Sequence, residues 1–318
     1  MPDTVFGCES RTLRAMAHSY NDDLRLAHVL ADNADNLSMD RFGAIDLQVD
    51  TKPDMTYVTE SDEAVEAAIR RTLKSARTRD IVLGEENGEV EGTSGPGGRR
   101  WIIDPIDGTS NFVRGVPVWA TLIALEEDGE IVAGCVSAPA LGRRWWASKG
   151  TGAYTGKSLM ASREIRVSQV SDLDSASVSY ASLGGWDAIG KGDAFAALLR
   201  RCWRTRAYGD FWSYMLLAEG AVDIAAEPEL KVWDMAALDI VVREAGGTFT
   251  SLAGQPGPWG DNALATNGRL HDSAMAYLGH FPDQGPPDQS WTDEPEPEPE
   301  PDNVRSFDFT REHVEDAP

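Results

Sequence analysis

The stretch WIIDPIDGTSNF, Trp101 to Phe112, limits what this chain can fold into more than any other segment. Trp101, Ile102 and Ile103 favour a strand, and Pro105 has no N–H for a central ladder, so the pattern predicts a strand that stops there. Asp104 and Asp107 then fall at a strand's carboxyl end. Gly108-Thr109-Ser110 reads as the opening of a helix whose free N–H groups face the same point. In α/β layers that is where ligands bind, and clustered hard oxygen ligands beside an anion-binding turn suit a phosphate held with Mg²⁺ or Mn²⁺. Taken alone, the stretch supports equally well a plainer reading, in which the aspartates only cap a turn and a helix.

The chain has 318 residues, 42% of them hydrophobic and 25% charged, enough for a large layered core. No apolar run approaches the roughly 20 residues that cross a bilayer, so no membrane contact is expected. Residues 1-20 are polar and irregular with no apolar signal core, which predicts an N-terminal extension, a cytoplasmic protein and a second plausible start at Met16. Cys8, Cys135 and Cys202 show no metal spacing and read as reduced thiols, Cys135 as core filling. None of the five histidines stands in HExxH spacing, which disfavours zinc-hydrolase chemistry. The net charge of −23 disfavours nucleic acid as a partner. Much of that charge lies in residues 283-318, where twelve Asp and Glu accompany two Arg within Pro-rich DEPEPEPEPD; the composition predicts a disordered tail.

Between the two ends the pattern alternates helix and strand. A helix is expected from Asn21 or Asp22 as cap, with Leu24, Leu26, Val29, Leu30 and Leu37 as its apolar stripe. A turn follows at Lys52-Pro53-Asp54, then a capping box at Thr59 to Asp62 opening a second helix. IVLGEENG predicts a short strand with a charged turn at Glu85-Glu86, and Asp128-Gly129 predicts a hairpin. Asp234 reads as a helix cap, with Gly246-Gly247 closing that helix. The expected organisation is an N-terminal α+β half over 21-150 carrying most of the candidate ligands, and a C-terminal α/β half over 151-282.

Four motifs together change the balance: VTESD at Val58 to Asp62, GEE at Gly84 to Glu86, WIIDPIDGTSNF, and WDMAALDIVVREAGG at Trp233 to Gly247. In order and approximate spacing, over roughly residues 20-280, they resemble the inositol-monophosphatase family of metal-dependent phosphomonoesterases. The resemblance implies a mixed α and β fold, a layered αβαβα sandwich, with two or three Mg²⁺ ions and usually a homodimer. It also implies metal ligation by Glu85, Asp104, the carbonyl of Ile106, Asp107 and Asp234. Thr109 and Asp62, with Glu85, would serve the attacking water, and Gly108, Thr109 and Ser110 would hold the phosphate.

A tighter resemblance, through FVRGVPVWATLIAL, SAPALGRRWWASKGTGAY and RAYGDFWSYMLLAEGAVDIAAEPELKVWD, is to the actinobacterial-type histidinol-phosphate phosphatases of that family. It implies hydrolysis of L-histidinol phosphate in histidine biosynthesis and places Glu227 and Asp210 against the alcohol part of the substrate. Two carboxylates there would suit an ammonium and an imidazole better than a neutral polyol. An inositol-1-monophosphatase, or another sugar-phosphate phosphatase of the same fold, is the alternative. Seen without the resemblance, Asp210 could pair with Arg206 and Glu227 could sit in a surface loop.

Overall fold

A computed structural model describes residues 20–53, 55–90 and 98–279. The expectations for the N-terminal extension up to residue 19, for Asp54 and for the acidic tail fall outside the described residues. Helix α1 (Asn21–Arg41) is followed by the strand pair β1 (Val49–Thr51) and β2 (Tyr57–Thr59), then α2 (Glu60–Ala76). Next come β3 (Ile81–Gly84), β4 (Gly88–Val90), β5 (Arg99–Asp107), the short helix α3 (Thr109–Val113), β6 (Ala120–Glu127) and β7 (Glu130–Ala138). Strands β8 (Arg143–Ser148), β9 (Ala153–Ser158) and β10 (Ala161–Ile165) complete a large sheet. The remainder is β11 (Ser177–Ser179), α4 (Gly184–Ala188), α5 (Gly192–Arg201), β12 (Arg204–Arg206) and α6 (Asp210–Ala218). It closes with β13 (Ile224–Glu227), α7 (Val232–Glu244), β14 (Thr248–Thr250), β15 (Ala263–Thr266) and α8 (His271–Leu278).

The large sheet has eight strands in the order β10-β9-β8-β7-β6-β5-β3-β4, and a second has five in the order β12-β11-β13-β15-β14. Helices α1 and α2 cover one face of the large sheet, and α6 and α7 lie between the two sheets. Helices α4, α5 and α8 cover the far face of the small sheet around Trp186, Phe195 and Leu198. The five layers run α, β, α, β, α, as the resemblance implies. Helix α7 is sandwiched on both sides, which is why Met235 to Val242 are all buried and its sequence shows no polar face.

Several local expectations need correction. The chain does not leave the ladder at Pro105: β5 continues to Asp107, with a shift of register against β6 between Asp104 and Asp107. Proline is tolerated there because the irregularity removes the need for its N–H, and Thr121 donates to the Pro105 carbonyl at 2.8 Å. The bulge re-aims both aspartates toward one side. Helix α1 is preceded by Tyr20, with Asn21 and Asp22 inside its first turn. Its buried face is built from Leu24, Ala27, Leu30, Ala31 and Ala34, whereas Val29 and Leu37 are exposed; small residues let the helix lie close to α2 and the sheet. The predicted hairpin turn is present, with Asp128 at φ 54° and Gly129 at φ 83°. The capping box at Thr59 and Asp62 is present as well.

Candidate active site

A cavity of about 800 Å³ opens where the end of β5 meets the starts of α3, α6 and α7 and the turn after β3. Asp104 is buried at the end of β5, and Asp107 reaches the same point across the bulge. Asp234, in the first turn of α7, takes the Lys231 N–H at 2.7 Å as a capping residue would, and still faces them. Asp104, Asp107 and Asp234 each present a carboxylate oxygen within 4.8 Å of the others. The capping and ligand readings of Asp234 are therefore not exclusive: its carboxylate closes the helix and also lies within reach of the other two aspartates.

Burial and mutual repulsion outweigh the hydrogen bonds this group receives. Burial, followed by repulsion from Glu85, Asp107 and Asp234, pushes the Asp104 carboxyl well above the usual carboxylate range. Burial, with Asp210 and Asp234, does the same to Asp107 despite a 2.8 Å hydrogen bond from the Phe211 N–H. Asp234 is raised to about 7, chiefly by burial. Oxygen Oδ1 of Asp104 is buried without a hydrogen-bond partner. A buried, unpartnered carboxylate oxygen facing two further carboxylates fits a divalent cation and is costly without one. The backbone carbonyl of Ile106 lines the same cavity.

Glu85 also lines the cavity but stands outside the tight group of three aspartates. Its Oε1 pairs with Lys52 Nζ at 2.7 Å, as does Oε1 of Glu86 at the same distance. Burial disfavours the charge on Lys52, yet these two hydrogen bonds raise its pKa overall. Lys52 thus neutralises part of the acidic rim, a role with no periodic or motif signal in the sequence.

On the other side of the bulge, Gly108 sits at φ +83°, and a Cβ there would come within 2.9 Å of the Val118 carbonyl. Thr109 follows as the first residue of α3, its hydroxyl 3.0 Å from the Ile106 carbonyl and 3.4 Å from Asp62 Oδ1. Asp62 is fully buried; its Oδ2 accepts from both the N–H and the hydroxyl of Thr59, at 2.8 and 2.6 Å. Burial lifts its pKa to about 6. Ser110 is exposed at the cavity's edge.

Two further carboxylates line the cavity. Glu227 ends β13 and is buried rather than in a surface loop, with Oε1 unpartnered and its pKa pushed well up by burial and by Asp210 and Asp234. Asp210 opens α6 at φ 46° and accepts from Asn111 Nδ2 at 2.7 Å, so Asn111, not Arg206, is its partner. Trp119, Trp145 and Trp146 are buried in the core, and Trp233 lines the cavity.

Residues 21–280 match the model of the inositol monophosphatase family, so the fold and the motif-bearing residues coincide with one family pattern. The chain belongs to the inositol monophosphatase family. A histidinol-phosphatase of Streptomyces coelicolor is 62% identical over 263 residues, spanning 81% of this chain and 97% of that protein. A histidinol-phosphatase of Mycobacterium tuberculosis is 58% identical over 258 residues, spanning 81% and 98%. Among solved structures, an IMPase of Thermotoga maritima superposes with a TM-score of 0.71 at 30% identity, covering 81% of this chain and 96% of that one. The αβαβα layering is thus the family's fold, and the acidic cavity lies at its sheet ends. Among the described residues no helix is long and apolar enough to cross a membrane.

Proposed function

We propose that this protein is a Mg²⁺-dependent phosphomonoesterase that hydrolyses L-histidinol phosphate to L-histidinol and phosphate, working in the cytoplasm as a homodimer. The observation that carries the reading is one cavity with three converging aspartates and two further carboxylates in its lining. Asp104, Asp107 and Asp234 converge on one point, and two further carboxylates line the same cavity, Asp210 beside the Gly108 turn and Glu227 at the end of β13. The relatives of 62% and 58% identity bear the name of the same activity.

Asp104, Asp107 and Asp234, with Glu85 and the Ile106 carbonyl, would hold the ions. Divalent cations bound there supply a water of lowered pKa and offset charge on the phosphate. Thr109 orients that water through its hydroxyl, which is poised between the Ile106 carbonyl and Asp62. Asp62, with a pKa of about 6, is matched to take a proton near neutral pH. The main-chain N–H groups of Gly108, Thr109 and Ser110 receive phosphate oxygens, donors set in place before charge develops. Glu227 and Asp210 pair with the ammonium and imidazole of the alcohol, where an uncharged polyol would leave both desolvated carboxylates without a counter-charge.

Phosphate release from histidinol phosphate and inositol 1-phosphate, side by side with Mg²⁺ and with EDTA, tests this. Faster release from histidinol phosphate that EDTA abolishes is expected. Faster release from inositol 1-phosphate would favour an inositol monophosphatase instead.

A further inference from the structure

Helix α2 carries three acidic or basic side chains at successive i, i+4 steps, Asp62, Glu66 and Arg70, and therefore along one face. Asp62 addresses Thr109; the other two have no part in the chemistry derived above. Glu66 is fully buried, and its carboxylate is spent on the turn between β3 and β4. Oxygen Oε2 accepts the Glu86 N–H at 2.8 Å, and Oε1 accepts the Asn87 N–H at 3.1 Å and Asn87 Nδ2 at 3.0 Å. Arg70 Nε donates to the same Oε1 at 2.7 Å, and its Nη1 reaches the Val82 carbonyl at 3.3 Å. A Cβ on Gly84 would lie 2.5 Å from the Glu66 carboxyl carbon, so only glycine lets this carboxylate press against the strand end.

The residue enclosed by these contacts is Glu85. Its own N–H is tied to the Ile103 carbonyl of β5 at 3.2 Å, and the next two N–H groups are tied to Glu66. A buried, charged acceptor held by an arginine is a costly way to fix a surface turn, where a water would satisfy the same donors. It is a reasonable way to fix one side chain's point of departure.

We propose that Glu66 is a positioning residue: by holding the main chain of Glu85 to Asn87 it aims the Glu85 carboxylate at the cavity and so sets the protein's affinity for its divalent cation. The proposal rests on the metal-dependent reading of the cavity. Groups that orient metal ligands typically govern affinity by 10- to 100-fold. Calorimetric titration of the metal-free protein with Mn²⁺ alone tests it without any substrate. In Glu66→Gln the dissociation constant is expected to rise by on the order of tenfold, while kcat at saturating Mn²⁺ stays near the wild-type value. Arg70→Met leaves the carboxylate in place but unanchored; a smaller rise is expected, and this variant serves if Glu66→Gln does not fold. A purely structural Glu66 would lower the melting temperature and leave the Mn²⁺ affinity of the folded variants at the wild-type value; that outcome overturns the proposal. Wild-type protein that takes up no Mn²⁺ would overturn both this proposal and the metal reading, whereas tight wild-type binding with parity in the variants overturns this proposal alone.

Discussion

Two groups of buried charge lie on opposite faces of the large sheet, and they are built on opposite rules. On the α1 face, Arg144 of β8 is surrounded by Asp35 at 2.6 Å, Asp32 at 2.8 Å and the Ser137 hydroxyl at 2.9 Å. His28 stands beside it, held neutral with its pKa lowered to about 4 by burial and by the Arg144 charge. On the other face Asp104, Asp107 and Asp234 meet one another. The first group pairs its one cation with carboxylates from within the chain and joins α1 to the sheet, although Asp35 Oδ1 and His28 Nε2 are left without a hydrogen-bond partner. The second repels itself, and its completion has to come from solution, which marks it as a site.

Removing one charge from each group should therefore have opposite consequences. Asp104→Asn is expected to lower kcat/KM by on the order of 10³ or more, since charge stabilisation at the reacting centre goes with it. Its metal-free melting temperature should rise or hold steady, because one uncompensated carboxylate is gone; a clear fall would mean that the aspartates stabilise the fold. Arg144→Met strands Asp35 and is expected to cost about 3 kcal/mol in urea unfolding, with kcat per folded molecule unchanged. A comparable loss of kcat would show that the two faces are not independent.

Within the acidic cavity, recognition of the alcohol should separate from the chemistry. Glu227→Gln is expected to raise KM for histidinol phosphate about tenfold more than for a neutral phosphate ester, the worth of one charge-assisted hydrogen bond. Equal changes for both esters would remove Glu227 from recognition. The smallest effect is on stability against pH. Asp62 and Asp210, raised by burial to about 6, and Asp234, raised to about 7, hold protons in the folded state that the unfolded chain releases near pH 4. Metal-free stability should therefore fall as pH rises from about 4 through about 7. A divalent cation held by Asp234 would displace its proton, so binding should tighten as pH rises. The difference in melting temperature with Mg²⁺ and with EDTA should widen from pH ~5 to pH ~8, and a constant difference would contradict the assignment of Asp234 to the metal.

Local features were legible in the sequence wherever a backbone rule has a residue signature. The Thr59–Asp62 box, the Asp128-Gly129 hairpin and the glycine after α7 are short-range and follow from capping and positive φ. The stop at Pro105 and the stripe on α1 were misread for a common reason: a bulge and an alanine-lined interface depend on what lies opposite, which a single strand or helix does not encode. Helix α8 carries little periodic signal because its pattern comes from packing against the far face of the small sheet, and strand β15 carries little because it is buried on both faces of that sheet.

By itself the sequence determined which residue types stand at strand and helix ends, and, through the family resemblance, a list of acids spread from Asp62 to Asp234. That the acids meet was implied only by the resemblance and not by the residue pattern, because like charges gain nothing from approach and leave no complementary partner to read. Only the tertiary structure decided that, by stacking α7 between two sheets and bending β5 at Pro105. It also decided the partners that no motif names, Lys52 on Glu85, Asn111 on Asp210 and Glu66 beneath Gly84. Packing energy from the apolar layers holds these carboxylates together against their repulsion, and that is a property of the whole fold rather than of any stretch within it.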